Sequence, residues 1–280
     1  MLAAVYQPGS QRLVLDKNYP IRELGDNEIL IKVAATGVCH SDVEFLTGVS
    51  LDTGKIRLWT HLDMKVAELP STGCSNCVHG VNGGPSLFNA LGIGRDGAYA
   101  DYIIVTADTL VPVPDGVPPA VAAIASDAGV TTYRAVQRSA QVKEGDKVLI
   151  FVTGGLGHLA LQYAVHFVYA CDFKPEARKL ALDLGATEAF DLIELTNKTT
   201  AGFTVDTTID FVSNNQTFNL AMSALRGNDV NFPSKPKCVM IGVSAENLVF
   251  ITLDIITTGI QILGTESEAR VETRTILLRY

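Results

Sequence analysis

From Lys147 onward the chain alternates short apolar runs with helical stretches, and that alternation restricts its fold more than any other feature. Lys147–Val152 (KVLIFV) reads as a strand and Leu156–Phe167 as a helix. Val168–Asp172 (VYACD) is a second strand, followed by a helix over Pro175–Leu184. A further strand lies within Val205–Val212, then a helix over Gln216–Leu225, a strand at Cys238–Gly242 and a last strand at Gln261–Gly264. Short apolar strands separated by helices bury both sheet faces, so a doubly wound parallel sheet of the nucleotide-binding kind is expected.

The first half has a different texture. Up to about residue 125 it is rich in short β-type runs broken by Gly, Pro and Asp, such as Glu28–Ala35 (EILIKVAA) and Ala98–Val105 (AYADYIIV). Pro112, Pro114, Pro118 and Pro119 punctuate an extended crossing, and Ala120–Ala140 reads mainly as helix with Gly129 interrupting it. Two domains are expected, 1–125 and 126–280, which a chain of 280 residues is long enough to support.

The strand at 147–152 runs into Thr153-Gly-Gly-Leu-Gly157 and directly into a helix. Small residues at such a turn let the backbone approach a pyrophosphate, which helix N-terminal amides then hold. The dinucleotide fingerprint places Gly at positions 152, 154 and 157; position 152 is Val, and Gly154 and Gly157 match. Asp172 ends the second strand 20 residues beyond position 152, where a carboxylate binds the ribose 2′-hydroxyl and repels a 2′-phosphate. NAD rather than NADP is the expected cofactor, with Gly154, Gly155, Leu156, Gly157 and Asp172 around it. The structural alternatives are a tight connection for the glycines and an N-cap of the next helix for Asp172.

Residues 37–42, Gly-Val-Cys-His-Ser-Asp, set a thiol, an imidazole, a hydroxyl and a carboxylate side by side. This hexapeptide closely resembles that of zinc-dependent alcohol dehydrogenases, the medium-chain dehydrogenase/reductase family. The stretch Lys143–Phe151 with Gly154–Ala164, and Ala128–Ala135 upstream, resemble the same family's nucleotide-binding entry and interdomain helix. The similarity runs in patches from residue 1 to about 265. It implies an N-terminal GroES-like β-rich catalytic domain, a Rossmann domain, and NAD and Zn²⁺ as cofactors. It also implies oxidation of a primary or secondary alcohol to an aldehyde or ketone, and the reverse.

By that resemblance Cys39 is the first zinc ligand and Asp127 stands at the place of the last, in the manner of a variant among secondary-alcohol dehydrogenases. His40 falls where the family contacts the cofactor pyrophosphate, Ser41 where a hydroxyl starts the proton relay, and Asp42 where a carboxylate orients the ligand histidine. The ordinary explanations are a buried inert thiol for Cys39 and a helix-entry residue for Asp127. The family's Gly-His-Glu segment has no counterpart: Thr47–Gly54 passes straight to Lys55-Ile-Arg-Leu58, and His61 stands in an unmatched context. Cys74-Ser-Asn-Cys77 with Gly80 resembles part of a structural-zinc lobe, but Ser71 and Pro85 replace its other two cysteines, and His79 adds at most a third ligand. No structural zinc is expected.

Two further departures bear on folding. Helix 156–167 meets Val168 with no turn, where an αβ connection takes ~2–6 residues, so the helix must unwind at its end or the second strand must shift register. After Gly264 the chain runs only to Tyr280, so internal and C-terminal shortening relative to the family is expected. Alternatives for function are a zinc-free reductase of the same superfamily and a catalytically inactive nucleotide-binding protein.

A net charge of −8 argues against nucleic acid and anionic membrane surfaces as partners. No run reaches the length of a membrane span, and the start lacks a signal-peptide pattern. Five scattered cysteines do not form a disulfide framework, which fits a reducing, cytoplasmic setting. The family resemblance further implies a homo-oligomer, dimer or tetramer, paired near Gln261–Gly264.

Overall fold

Six parallel strands form the central sheet of the second half, in the spatial order 261–264, 237–240, 207–210, 147–151, 167–171, 188–190. The computed structural model describes residues 1–7, 12–40, 42–43, 96–107, 110–164, 167–225, 235–244, 246–265 and 275–278. It divides into two units: residues 1–130 with 267–280, and residues 131–266.

In the first unit β1 (Ala3–Tyr6) pairs antiparallel with β2 (Leu13–Asp16), and β3 (Glu28–Lys32) with β4 (Tyr102–Thr106). Ile31, Ala98, Ile103 and Val105 bury together. A helical run follows from Pro119 to Ala140: α1 (Pro119–Ile124), a π-helical stretch Ala125–Gly129, α2 (Val130–Tyr133), and a second π stretch Arg134–Ala140. Pro119 suits the first turn because its missing N–H would have no acceptor there. Gly129 does not break the run; it is buried within it. The run ends at Gln141, which turns left-handed at φ 54°.

In the second unit β5 (Lys147–Phe151) leads to α3 (Gly157–Tyr163), β6 (Phe167–Cys171) and α4 (Pro175–Asp183). Next come β7 (Glu188–Phe190), α5 (Leu192–Thr200), β8 (Thr207–Asp210), α6 (Asn215–Ala224), β9 (Lys237–Met240), α7 (Thr252–Thr258) and β10 (Gln261–Gly264). The central strands pair in register, Val148 with Val168 on one side and with Thr207 on the other. Successive residues of β5 point to opposite faces. Val148 and Ile150 pack with Val136, Ala160 and Leu161, while Leu149 and Phe151 pack with Leu195 and Phe218. Both faces are thus covered, as the apolar strands require.

The crowded junction after α3 is resolved by unwinding. The helix stops at Tyr163, Ala164 is already extended (φ −86°, ψ 102°), and Phe167 belongs to β6 rather than to the helix. Among the described residues no helix is long and apolar enough to cross a membrane.

Candidate cofactor and metal sites

The strand order reverses at β5, whose neighbours are β6 and β8, and in such sheets ligands bind beyond the carboxyl ends of the strands at that point. The turn leaving β5 lies there. Val152 still pairs, donating its N–H to the Cys171 carbonyl at 2.8 Å, but its φ is +66°. A β-branched residue is rarely found in that region, because its Cβ crowds the following carbonyl. The absent first glycine of the fingerprint therefore leaves a physical trace: the turn keeps the glycine conformation with a valine in it.

The other glycines divide by role. A Cβ on Gly157 would collide with the Val152 carbonyl, so the helix can approach the strand this closely only through glycine. At Gly155 a Cβ would meet nothing within 4 Å. The amides of Gly154, Gly155, Leu156 and Gly157 donate to no protein acceptor among the described residues. Gly154 instead accepts through its carbonyl, from the His158 amide at 3.2 Å, and lies 2.8 Å from His158 Nδ1. An open glycine turn with uncommitted amides fits a dinucleotide pyrophosphate.

Asp172 follows β6 and is 4% exposed. Its Oδ2 accepts from the Thr153 amide at 2.9 Å and the Thr153 hydroxyl at 3.2 Å, and its Oδ1 accepts from the Lys174 amide at 2.9 Å. The carboxylate is therefore built into the turn it neighbours, and the Lys174 bond is a local turn ahead of α4. A carboxylate has about four acceptor positions, so three protein donors leave it capacity for one more. Arg178 Nη1 donates to the carbonyls of Asp172 (2.9 Å) and Phe173 (3.1 Å), and the Phe173 ring is 64% exposed.

At the end of β8, Asp210 is fully buried. Its Oδ1 accepts from the amides of Val212 (2.8 Å) and Ser213 (3.0 Å), and its Oδ2 from the Thr217 hydroxyl (2.7 Å). Burial pushes its pKa up, and these donors pull the other way. A Cβ on Gly242 would collide with the Val212 backbone, so β8 and β9 also leave the sheet in close contact. The fingerprint does not single out Thr153 or Asp210. Thr153 occupies a position that the glycine pattern leaves free, and the signal for Asp210 is an acid closing a short β-branched run.

The metal-site residues lie in the first unit. Cys39 is partly exposed and His40 exposed. Asp42 is 3% exposed, and its Oδ2 accepts from the Cys39 amide at 2.7 Å and the Tyr99 hydroxyl at 3.1 Å. The Asp42 amide returns a bond to the Cys39 carbonyl at 3.1 Å, closing a tight turn. Asp127 is half-buried in the π-helical stretch, a departure from α geometry of a kind frequent at functional sites. Ser41, His61, His79, Cys74 and Cys77 lie outside the described residues. Among the described residues no group of three or more His, Cys, Asp or Glu side chains is arranged to hold a metal ion. Two donors fall short of a catalytic zinc site.

Comparison with known proteins agrees with this architecture. The zinc-binding dehydrogenase family matches residues 155–278. An alcohol dehydrogenase of Geobacillus stearothermophilus is 31% identical, over 86% of this chain and 77% of that protein. The structure of acetophenone reductase from Geotrichum candidum in complex with NAD is similar at TM-score 0.75 and 28% identity, covering 99% of this chain and 85% of that one. The alcohol dehydrogenase of Aeropyrum pernix shares the fold at TM-score 0.80 and 22% identity, covering 99% and 89%. The fold and these relatives define an oxidoreductase with a GroES-like domain and a Rossmann domain. The chain belongs to the zinc-dependent alcohol dehydrogenase family of medium-chain dehydrogenases/reductases, and its relatives support an NAD-dependent alcohol dehydrogenase.

Proposed function

We propose that this chain oxidises a small primary or secondary alcohol to the aldehyde or ketone with NAD, and runs the reverse reaction. The observation that carries this reading is the pairing of an open glycine turn after β5 with a carboxylate at the end of β6. The amides of Gly154, Gly155, Leu156 and Gly157 would take the pyrophosphate, and Asp172 the ribose 2′-hydroxyl. When bound, the nicotinamide accepts the hydride. His40 is assigned to the pyrophosphate, and Ser41 to the proton leaving the alcohol.

Cys39 and Asp127 are the two candidate zinc ligands. They do not complete a site, so the described residues leave the metal without a full set of donors. The missing Gly-His-Glu segment of the sequence motivates a second reading, a zinc-free reductase of the same superfamily or an inactive nucleotide-binding protein. Elemental analysis of protein purified without added metal separates the two. One tightly held zinc per chain supports the alcohol dehydrogenase reading, with a third ligand elsewhere in the chain; no zinc supports the second.

The same reading places the protein in the cytoplasm as a dimer or tetramer paired along β10, an edge of the sheet. The exposed Ile251, Leu253 and Ile256, in the segment that precedes β10, support pairing. A monomeric mass by light scattering would contradict it. Domains of 1–125 for catalysis and 126–280 for the nucleotide complete the proposal.

A further inference from the structure

We infer that Thr153 is a positioning residue that sets the Asp172 carboxylate for a free ribose 2′-hydroxyl, and so determines the preference for NAD over its 2′-phosphorylated counterpart. The inference rests on the cofactor reading above. Thr153 is 2% exposed, and its hydroxyl lies 3.2 Å from both Asp172 Oδ2 and the Ala177 carbonyl. The hydroxyl's single proton is shared between these two acceptors, and through it one side chain links the glycine turn, the end of β6 and the first turn of α4.

The backbone bond from Thr153 to Asp172 does not depend on the side chain; the hydroxyl bond does. With the Lys174 amide on Oδ1, it holds both carboxylate oxygens in one orientation before any ligand arrives. The setting makes that orientation consequential. Lys174 sits over the exposed Phe173 ring at 5.4 Å, and Arg178 holds the two carbonyls beside Asp172. Two cations at this strand end attract a 2′-phosphate, and the fixed carboxylate opposes it. Without the hydroxyl the Thr153 amide alone holds Oδ2, so the carboxylate is less firmly set for a 2′-hydroxyl while both cations stay in place.

The test is fluorescence titration of wild type, Thr153→Val and Thr153→Ser with NADH and with NADPH, alongside thermal unfolding. Wild type binds NADH more tightly than NADPH. Thr153→Val raises the NADH dissociation constant about fivefold while the NADPH constant stays level or falls, the scale of one ordinary hydrogen bond acting through Asp172. Thr153→Ser, which keeps the hydroxyl, stays within about twofold of wild type. If Thr153→Val does not fold, Thr153→Ala removes the same hydroxyl without a new methyl and must give the same split. Parallel weakening of both dinucleotides, or no change in either, overturns the inference while the cofactor reading stands. Failure of wild type to bind NADH overturns the cofactor reading itself.

Discussion

The Val152 carbonyl lies where a Cβ of residue 157 would have to sit. Strand β5 and helix α3 meet there backbone to backbone, and the chain has no flexible side chain to yield. Gly157→Ala should therefore cost about 3 kcal/mol or more, near the upper end for overpacking, because the obstacle is main chain. Urea unfolding with NADH titration checks this. A variant that unfolds like wild type and binds NADH equally well would show that the turn relaxes freely.

Val152 itself stores strain. At φ +66° a β-branched residue costs about 1–2 kcal/mol relative to one that fits, whereas glycine gives back roughly 0.4–1 kcal/mol through the freedom of its unfolded chain. Val152→Gly should then be neutral to stabilising by up to about 1 kcal/mol, and should leave NADH binding intact or tighter. A loss of stability beyond about 1 kcal/mol would mean that the valine side chain packs more favourably than its backbone suffers.

The buried thiols make stability sensitive to alkali. Burial pushes Cys171 from 9.0 to about 12 and Cys238 from 9.0 to about 11, with Asp172 adding to the rise at Cys171. Above pH 9 the unfolded chain releases these protons and the folded chain keeps them. Their contribution is therefore complete below pH 9 and declines as pH climbs toward about 12, by roughly 4 kcal/mol for Cys171 across the whole window. Melting temperatures from pH 8 to 10.5 should fall more steeply for wild type than for Cys171→Ala; equal slopes would contradict the assignment.

Helix α5 is capped by a reciprocal pair. Asp191 accepts from the amides of Ile193 and Glu194, and Glu194 accepts from the Asp191 amide. Asp191→Ala should cost about 1 kcal/mol in chemical denaturation. An unchanged midpoint would mean that water replaces the cap at no loss.

That helix also shows where sequence reading falls short. The doubly wound half is legible because strands β5, β6 and β9 are mostly apolar and are followed within a few residues by Gly or Asp. The β7–α5 pair is not, since Glu188–Phe190 is a three-residue strand and Leu192–Thr200 is crowded with Thr and Asn. The Asp191…Glu194 spacing was the available signal. Thr252–Thr258 (TLDIITT) is rich in β-branched residues, so its propensity points away from the helix it forms. The boundary drawn at 125/126 falls inside the helical run, which passes between the units at Val130.

At the site, spacing picks out Gly154, Gly157 and Asp172 because the fingerprint names those positions. It cannot show that Asp172 is already bonded on both oxygens, since Thr153 and Lys174 donate mainly through their amides, which every residue but proline carries. Nor can spacing show that Asp42 turns back onto the Cys39 amide and meets Tyr99 from 57 residues away.

The most direct measurement is absorbance at 340 nm while the purified chain is held with NAD and a panel of small primary and secondary alcohols. An alcohol-dependent rise, absent without protein and absent without NAD, is the predicted result. No rise with any alcohol, from protein that binds NADH in the same buffer, would contradict the alcohol dehydrogenase reading and leave a nucleotide-binding protein.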